Sequence, residues 1–343
     1  MTKYEYLTNM SPLLVQVELT EACNLRCKFC YNSQEPKYST HIFEILERLA
    51  SQGVMQVNLT GGEPLMHPQF FEILEKACSL FANVVLLTNG SLMTKAILDR
   101  LHEYNVTSVN ISIHGNQYIH DDLTQTQGSY ERSISAIKYF LNKQKILVAS
   151  NYVLNAANIE NLKNTIHDFQ KIGLDFMTIT RFIPVGIGKE AHYLKLDTQQ
   201  LVDSFRIVHE HYLSGNRPHI EFAEATPFCS LPLELRYLAN SCSYGYDRFY
   251  VDINGELLVC GLSRIKLGGN ILQQTINEIK RISPVFQAFI NNEHIPLDCN
   301  MCNNLDNCHG GCRAAALENG DWKGTYDPHA KIDQISSERI IHE

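Results

Sequence analysis

Three thiols recur at C-x3-C-x2-C spacing in the run Thr20-Glu21-Ala22-Cys23-Asn24-Leu25-Arg26-Cys27-Lys28-Phe29-Cys30-Tyr31. A second group, Cys299, Cys302, Cys308 and Cys312, follows near the other end, preceded by Cys229, Cys242 and Gly255-x4-Cys260. The chain holds 11 cysteines, and an odd number cannot all pair as disulfides. Clustered cysteines in a reducing compartment read instead as metal or iron–sulfur ligands. A four-iron cluster takes four cysteines as a rule. Three thiolates in one loop would leave one iron open to a substrate or cofactor. Read alone, the C-terminal group is also compatible with a zinc ribbon.

The elements that must position these thiols are legible from hydrophobic patterning. Strand-like runs at Leu13–Thr20, Val54–Thr60, Asn83–Asn89, Ser108–His114, Ile146–Leu154 and Phe176–Ile183 alternate with amphipathic stretches such as Ile42–Ala50, Phe70–Leu80 and Tyr130–Leu141. Successive βα units imply a parallel sheet with helical crossovers. Side chains alternate between the faces of a strand. In the first strand Gln16, Glu18 and Thr20 oppose Val15, Val17 and Leu19. Gln56, Asn58 and Thr60 oppose Val57 and Leu59 in the second, and Asn110, Ser112 and His114 oppose Val109, Ile111 and Ile113 in the fourth. One face suits a helix layer, and the other is polar. A closed eight-stranded barrel fills its interior with branched apolar residues. The polar inner face therefore predicts an α/β fold with a partial (β/α)6 barrel around a hydrated or ligand-filled cavity. The cysteine loop would sit at the carboxyl end of strand one, where barrel active sites lie.

Beyond about Asn216 the alternation fades, and short strands appear at Arg248–Val251 and Glu256–Val259. The expected division is a core barrel over 12–195, a connecting helix within 196–226 (Gln199–Leu213), a small cysteine-rich domain over 227–330 and a tail over 331–343. The composition, 44% hydrophobic and 19% charged, excludes disorder. No run approaches the roughly 18 apolar residues of a membrane helix, and Met1–Tyr6 lacks a signal-peptide core. A cytoplasmic protein with no membrane partner is expected. The net charge of -8 argues against a nucleic-acid partner, which needs clustered Lys and Arg.

The cysteine loop, with its aromatic before the third cysteine, resembles the signature of the radical S-adenosylmethionine (SAM) superfamily. Thr60-Gly61-Gly62-Glu63-Pro64 ends strand two, Thr88-Asn89-Gly90 ends strand three and Ser112 lies in strand four, in that family's order. The resemblance covers roughly residues 12–190. It implies that Cys23, Cys27 and Cys30 hold a [4Fe-4S] cluster whose open iron chelates the amino and carboxylate groups of SAM. It places Phe29 near the adenine, Gly61 and Gly62 against the methionine end, Glu63 facing the ammonium, Asn89 within the site and Ser112 on ribose or carboxylate. The family's arginine for the SAM carboxylate is missing, since Leu123-Thr124-Gln125 stand in that region. A zinc site fits the trio less well, because closed structural zinc sites take four ligands.

Beside that motif the order C…G-x4-C…C-x2-C-x5-C-x3-C looks like the SPASM extension, which carries up to two auxiliary [4Fe-4S] clusters. The resemblance implies Cys242, Cys260 and Cys312 on one and Cys299, Cys302 and Cys308 on the other. The family's last cysteine after Asp-Pro is replaced here, because the text reads Asp327-Pro328-His329. His329 or Asp327 is then a fourth ligand, or that iron is open, or His329 is a surface residue. Cys229 is expected to complete the cluster of Cys242 and Cys260, or else to return a hydrogen atom to a substrate radical. Cys78 reads as a small helix residue packed in the interior.

Proteins of this kind mostly act on peptides, while others act on sugars or tetrapyrroles. The expected function is hydrogen abstraction from a ribosomally made peptide, leading to cross-linking, epimerisation or oxidation. Alternatives are dehydrogenation or epimerisation of a small molecule, formylglycine formation, and an iron–sulfur electron-transfer scaffold without catalysis. Only 22 residues precede Cys23, which suggests a separate leader-peptide-binding protein. A one-electron donor such as flavodoxin or ferredoxin is implied. Glu18, Asn151, Tyr152 and Arg181 are candidates for handling substrate from the strands, with Cys229 beside them.

Overall fold

A computed structural model describes residues 7–331 and residue 333. The expected tail over 331–343 lies outside the described residues apart from Lys331 and Asp333. Ten strands form one open sheet in the order β10-β9-β8-β1-β2-β3-β4-β5-β6-β7. The parallel series runs β1 (Leu14–Glu18), β2 (Gln56–Thr60), β3 (Asn83–Thr88), β4 (Ser108–Ser112), β5 (Leu147–Leu154), β6 (Phe176–Arg181) and β7 (His219–Phe222). The first six coincide with the expected strands. The seventh is an additional short edge strand.

The crossovers are α1 (Ile42–Ser51), α2 (Phe70–Leu80), α3 (Lys95–Glu103), α4 (Gln117–Thr124), α5 (Ser129–Lys143), α6 (Leu162–Ile172) and α7 (Thr198–Leu213). Their apolar stripes cover one face of the sheet. Val15, Val17, Leu19, Val57, Leu59, Val109 and Ile111 are fully buried there against Ile45, Leu49, Ile73, Leu74, Ile137 and Phe140. Cys78 packs half-buried at the edge of this core. The opposite face keeps its polar character. Gln16, Asn58, Asn110 and Ser112 are half-buried on it, and Glu18 is fully buried. Gln56 Nε2 donates to Asn58 Oδ1 (2.9 Å) along this face. The buried Oδ1 of Asn110 has no hydrogen-bond partner among the described residues. A buried polar atom of that kind is costly unless something else satisfies it.

The C-terminal region does not build its own sheet. The strands β8 (Arg248–Val251), β9 (Glu256–Leu258) and β10 (Lys266–Asn270) continue the same one. Strand β8 pairs in parallel with β1, Leu14 opposite Arg248 and Val17 opposite Val251. Beyond it, β9 and β10 fold back antiparallel. Two short helices, α8 (Ile276–Ile282) and α9 (Pro284–Ile290), pack Ile276, Ile279, Phe286 and Phe289 into the common core. Both are capped at their N-termini, by Thr275 and Ser283. No helix among the described residues is long and apolar enough to cross a membrane.

Candidate active site and cysteine centres

The loop carrying Cys23, Cys27 and Cys30 leaves the carboxyl end of β1 and is clamped from four sides. The β2 loop zips onto it, with Gly62 N donating to Thr20 O (2.6 Å) and Glu63 N to Ala22 O (2.8 Å). This contact explains both glycines. A Cβ on Gly61 would lie 2.3 Å from Thr20 O, and one on Gly62 would lie 2.2 Å from Ala22 O. Their missing side chains face the cysteine loop, so their first role is to let two backbones touch. The end of α4 supplies a second clamp, as Arg26 N donates to Thr124 O (3.2 Å) and Lys28 N to Leu123 O (2.9 Å). Leu123 and Thr124, in the region of the family's arginine, thus hold the loop through backbone carbonyls.

The third clamp follows β6, where Gly188 N donates to Cys30 O (2.8 Å). A Cβ on Gly186 would meet Tyr31 O at 2.0 Å. Nothing in the cysteine spacing pointed to Gly186 or Gly188. The fourth is the returning chain, with Glu21 N bonded to Lys37 O (3.0 Å) and Ser39 N to Leu19 O (2.9 Å).

Within this frame the three thiols lie near enough to act on one another electrostatically. Burial pushes the Cys23 thiol up to about 11 and raises Cys27 and Cys30 as well. Buried thiols of this sort become thiolates only against a strong positive charge. Two backbone amides are aimed at sulfur, Leu25 N at Cys23 Sγ (3.5 Å) and Asn32 N at Cys30 Sγ (3.4 Å). Among the described residues no three Cys, His, Asp or Glu side chains converge as one bound metal ion requires.

The other motif residues surround the trio. Glu63 is fully buried and accepts from Thr88 Oγ1 (2.8 Å), Asn89 N (2.8 Å) and Leu65 N (3.2 Å). Burial outweighs these bonds and raises its carboxyl to about 7. Asn89 Nδ2 reaches Asn24 Oδ1 (3.0 Å) and Cys23 Sγ (3.8 Å). Phe29 meets His114 edge-on at 4.6 Å between ring centroids. Burial drives His114 well below the usual histidine range, so its ring is neutral. Ser112 is half-buried on the polar face of β4, beside Asn151 of β5, whose Oδ1 accepts from Thr180 Oγ1 (2.6 Å).

Two strand candidates take other roles. Glu18 is held between Asn32 Nδ2 (2.8 Å) and Arg264 Nη1 (2.9 Å), and Arg264 reaches it from the loop between β9 and β10. Tyr152 does not line the cavity. Its ring is fully buried in the helix-side core and its hydroxyl donates to Asn158 O (2.8 Å). On β5 the alternation carries Asn151 to the polar face and Tyr152 to the other.

The C-terminal thiols fall into two sets. Cys242, Cys260 and Cys312 act on one another, and Cys260 and Cys312 share a packed cluster with Ile183 and Ala315. Glu224 lies close enough to act on Cys242 and Cys260, and its Oε2 accepts from Arg181 N (2.7 Å). The second set is Cys299, Cys302, Cys308 and Cys229. Cys229 therefore stands with this set, not with Cys242 and Cys260. Burial raises Cys242 and Cys299 to about 12.

His329 joins neither set, and Asp327 lies beside Cys312 but is held by Arg181. The His329 ring contacts Thr198 Oγ1 (3.3 Å) and lines a separate polar pocket with Lys195 and Asp197. Asp327 is fully engaged with the buried Arg181 guanidinium, at 3.1 and 2.8 Å, and accepts from Cys312 N (3.0 Å) and His329 N (3.0 Å). Arg181 is thus an ion-pair partner, not a group open to substrate.

Comparison with known proteins agrees with this geometry. The model of the radical SAM superfamily matches residues 17–188. The chain is 27% identical over 341 residues to the AdoMet-dependent heme synthase of Methanosarcina barkeri, covering 92% of this chain and 95% of that protein. It is 27% identical over 279 residues to the sporulation killing factor maturation protein SkfB of Bacillus subtilis, covering 80% of this chain and 66% of SkfB. In fold it is similar to Streptococcus suis SuiB bound to precursor peptide SuiA, with a TM-score of 0.77 at 18% identity over 94% of this chain and 76% of SuiB. Members of the matched superfamily use a [4Fe-4S] cluster together with SAM. The match runs over half of the chain and spans the thiol loop, the glycine pair and the polar strand face, and the chain belongs to the radical SAM superfamily.

Proposed function

We propose that this protein is a radical SAM enzyme with a SPASM-type auxiliary-cluster region, acting on a ribosomally made peptide. The observation that carries the reading is the clamped Cys23/Cys27/Cys30 loop at the mouth of a sheet with a polar inner face. The chemistry supplied by a bound [4Fe-4S] cluster and SAM is one-electron cleavage of a carbon–sulfur bond, giving a carbon radical that takes hydrogen from substrate. In this reading Cys23, Cys27 and Cys30 hold the cluster. Glu63, kept between Thr88 and Asn89, faces the ammonium of SAM, and Phe29 packs near the adenine. Ser112 and Asn110 Oδ1, which has no partner among the described residues, offer polar contacts inside the cavity. The apolar cluster of Leu123, Phe182, Ala191 and Leu194 behind Phe29 keeps water from the loop's outer side.

Support for a peptide substrate comes from SkfB, named as a maturation protein, and from SuiB, solved with a precursor peptide. A second reading, a tetrapyrrole substrate, is favoured by the nearly full-length match to the heme synthase. A flavodoxin or ferredoxin would supply the electron, and a separate leader-peptide-binding protein is an added partner of the peptide reading. A reducing cytoplasm is the compartment in which 11 thiols would stay available for clusters.

The test is anaerobic reconstitution with iron and sulfide, followed by reduction in the presence of SAM. Formation of 5′-deoxyadenosine that is lost in Cys27→Ala is expected, and its absence from the parent refutes the reading. Co-expression with a short peptide encoded nearby, read by mass spectrometry, separates a peptide substrate from a tetrapyrrole.

A further inference from the structure

The family's last cysteine is missing from this chain, and the two residues that stand in its place, Asp327 and His329, are committed elsewhere. We propose that Cys229, some 70 residues upstream of its partners, is the fourth thiolate of a closed site formed with Cys299, Cys302 and Cys308. The proposal rests on the reading above that the C-terminal region holds auxiliary iron–sulfur clusters.

Four observations support it. First, the four sulfur-bearing side chains line one small pocket, whose other walls include Pro227, Phe228, Leu305 and Ala330. Cys229 and Cys299 are 7% and 9% exposed there and pack on Ile295. An apolar, half-enclosed pocket lined by four thiols is a poor place for uncompensated charge and a good one for a cationic metal core. Second, backbone amides are aimed at the sulfurs. Lys331 N points to Cys229 Sγ (3.3 Å), Phe228 N to Cys308 Sγ (3.4 Å) and Asn304 N to Cys302 Sγ (3.5 Å). Hydrogen bonds of this kind set the potential of a bound cluster.

Third, the segment carrying Cys229 is fixed. It is a 3-10 turn over Phe228–Ser230, closed by Ser230 N to Pro227 O (3.0 Å) and Leu231 N to Phe228 O (3.0 Å). Pro227 in turn sits against the loop of Cys308 and Cys312, so tightly that a Cβ on Gly311 would come within 2.8 Å of its ring. Fourth, the competitors are accounted for. Both Asp327 oxygens are taken by Arg181, Cys312 N and His329 N, and the His329 ring faces Thr198.

With four protein thiolates the site has no iron left for substrate, as an all-cysteine cluster does not. It would carry electrons, not bind the reacting molecule. Cys242, Cys260 and Cys312 bring three thiols, with the Glu224 carboxylate acting on two of them. A thiolate bound to iron also cannot hand a hydrogen atom to a substrate radical, so Cys229 is not that donor.

The test uses the full chain with Cys23, Cys27 and Cys30 changed to Ala, so that only C-terminal clusters remain. After anaerobic reconstitution, iron and sulfide per chain are counted and electron paramagnetic resonance spectra recorded. Cys229→Ala should lose roughly half of this iron, or show a three-iron signal absent from the parent, while His329→Ala should match the parent. Unchanged iron and an unchanged spectrum in Cys229→Ala would overturn the proposal. A parent that binds no iron would instead defeat the auxiliary-cluster reading itself. Should Cys229→Ala not fold, alkylation of the otherwise unaltered chain decides. Cys229 should be protected together with Cys299, Cys302 and Cys308 when loaded, and all four should label once a chelator removes the iron. Labelling of Cys229 at equal rates with and without iron rejects its ligation.

Discussion

The ion pair between Arg181 and Asp327 joins the end of β6 to the segment behind Cys312, and both side chains are buried, at 5% and 0% exposure. Asp327→Ala removes the acceptor of two guanidinium bonds, at 3.1 and 2.8 Å, and of the Cys312 and His329 amides, both at 3.0 Å. The larger loss is electrostatic, because the buried Arg181 guanidinium loses its bidentate partner and keeps only Glu224 nearby as an opposite charge. Breaking a buried pair from one side costs about 3–5 kcal/mol, or a roughly 200- to several-thousand-fold fall in the folded-to-unfolded ratio. Removing both charges with volume kept, as in Arg181→Met with Asp327→Leu, should cost less than the single change, since only the amides remain unsatisfied, at about 1–3 kcal/mol each at most. Urea unfolding of the cluster-loaded proteins, followed by circular dichroism, measures the difference. The pH dependence follows from the same pair. Burial pushes the Asp327 carboxyl up, but Arg181 overrides it and the net position is below the usual range. The contribution is therefore complete above the unfolded carboxylate value of about 3.9 and disappears as pH falls through the lower folded value. A single variant within about 1 kcal/mol of the parent, or a double variant as unstable as the single, would refute the reasoning.

Gly62→Ala would put a Cβ 2.2 Å from Ala22 O and 2.5 Å from Glu21 O. The two loops must part, and SAM affinity measured by equilibrium dialysis should fall by roughly 2- to 150-fold, the equivalent of the 0.5–3 kcal/mol span of typical substitutions, while far-ultraviolet circular dichroism is kept. Parental affinity would show that the zipped backbones do not shape the site. For Glu63, whose carboxyl is raised to about 7, the folded state keeps a proton that the unfolded chain loses near 4.3. Stability of the SAM-free protein should decline between those values as pH rises, by about 4 kcal/mol at most at 1.36 kcal/mol per unit. Glu63→Gln should flatten that slope in urea titrations at pH 5 and 7.5, and an equally steep slope in the variant would assign it to other groups.

The parallel core was legible because two periodicities coincide in it. Val15, Val17 and Leu19 mark the helix face, and Glu18 and Thr20 the other, so both the strand and its cavity side could be read from one segment. β7 was missed although Ile220 and Phe222 alternate with His219 and Glu221. Four residues are too few for that pattern to stand out from a loop. The alternation also separates Asn151 from Tyr152, and reading both as cavity residues ignored the two-residue period on β5. Spacing alone could not sort the C-terminal thiols, because which of them meet depends on where the turn over Phe228–Ser230 docks, a tertiary contact with no local signature. The glycine pair after β2 was visible in the text, but its contact with Thr20 and Ala22 was not, because the approach is between segments 40 residues apart. For the same reason nothing near Glu18 announced Arg264, which arrives from 246 positions away.

The pairing of β8 with β1 has a further meaning for how this chain can be divided. Strand β1 carries the thiol loop at its tip, and four of its residues, Leu14 to Val17, are in register with a strand that follows them by more than 230 positions. Cutting the polypeptide after α7 would strip that flank and leave a row of bare amides and carbonyls beside the most demanding loop in the molecule. Such a row is a template for pairing with other molecules. The first half should accordingly aggregate when expressed alone, and a transplanted C-terminal half would need a strand that matches β1 before any of its thiols could be of use.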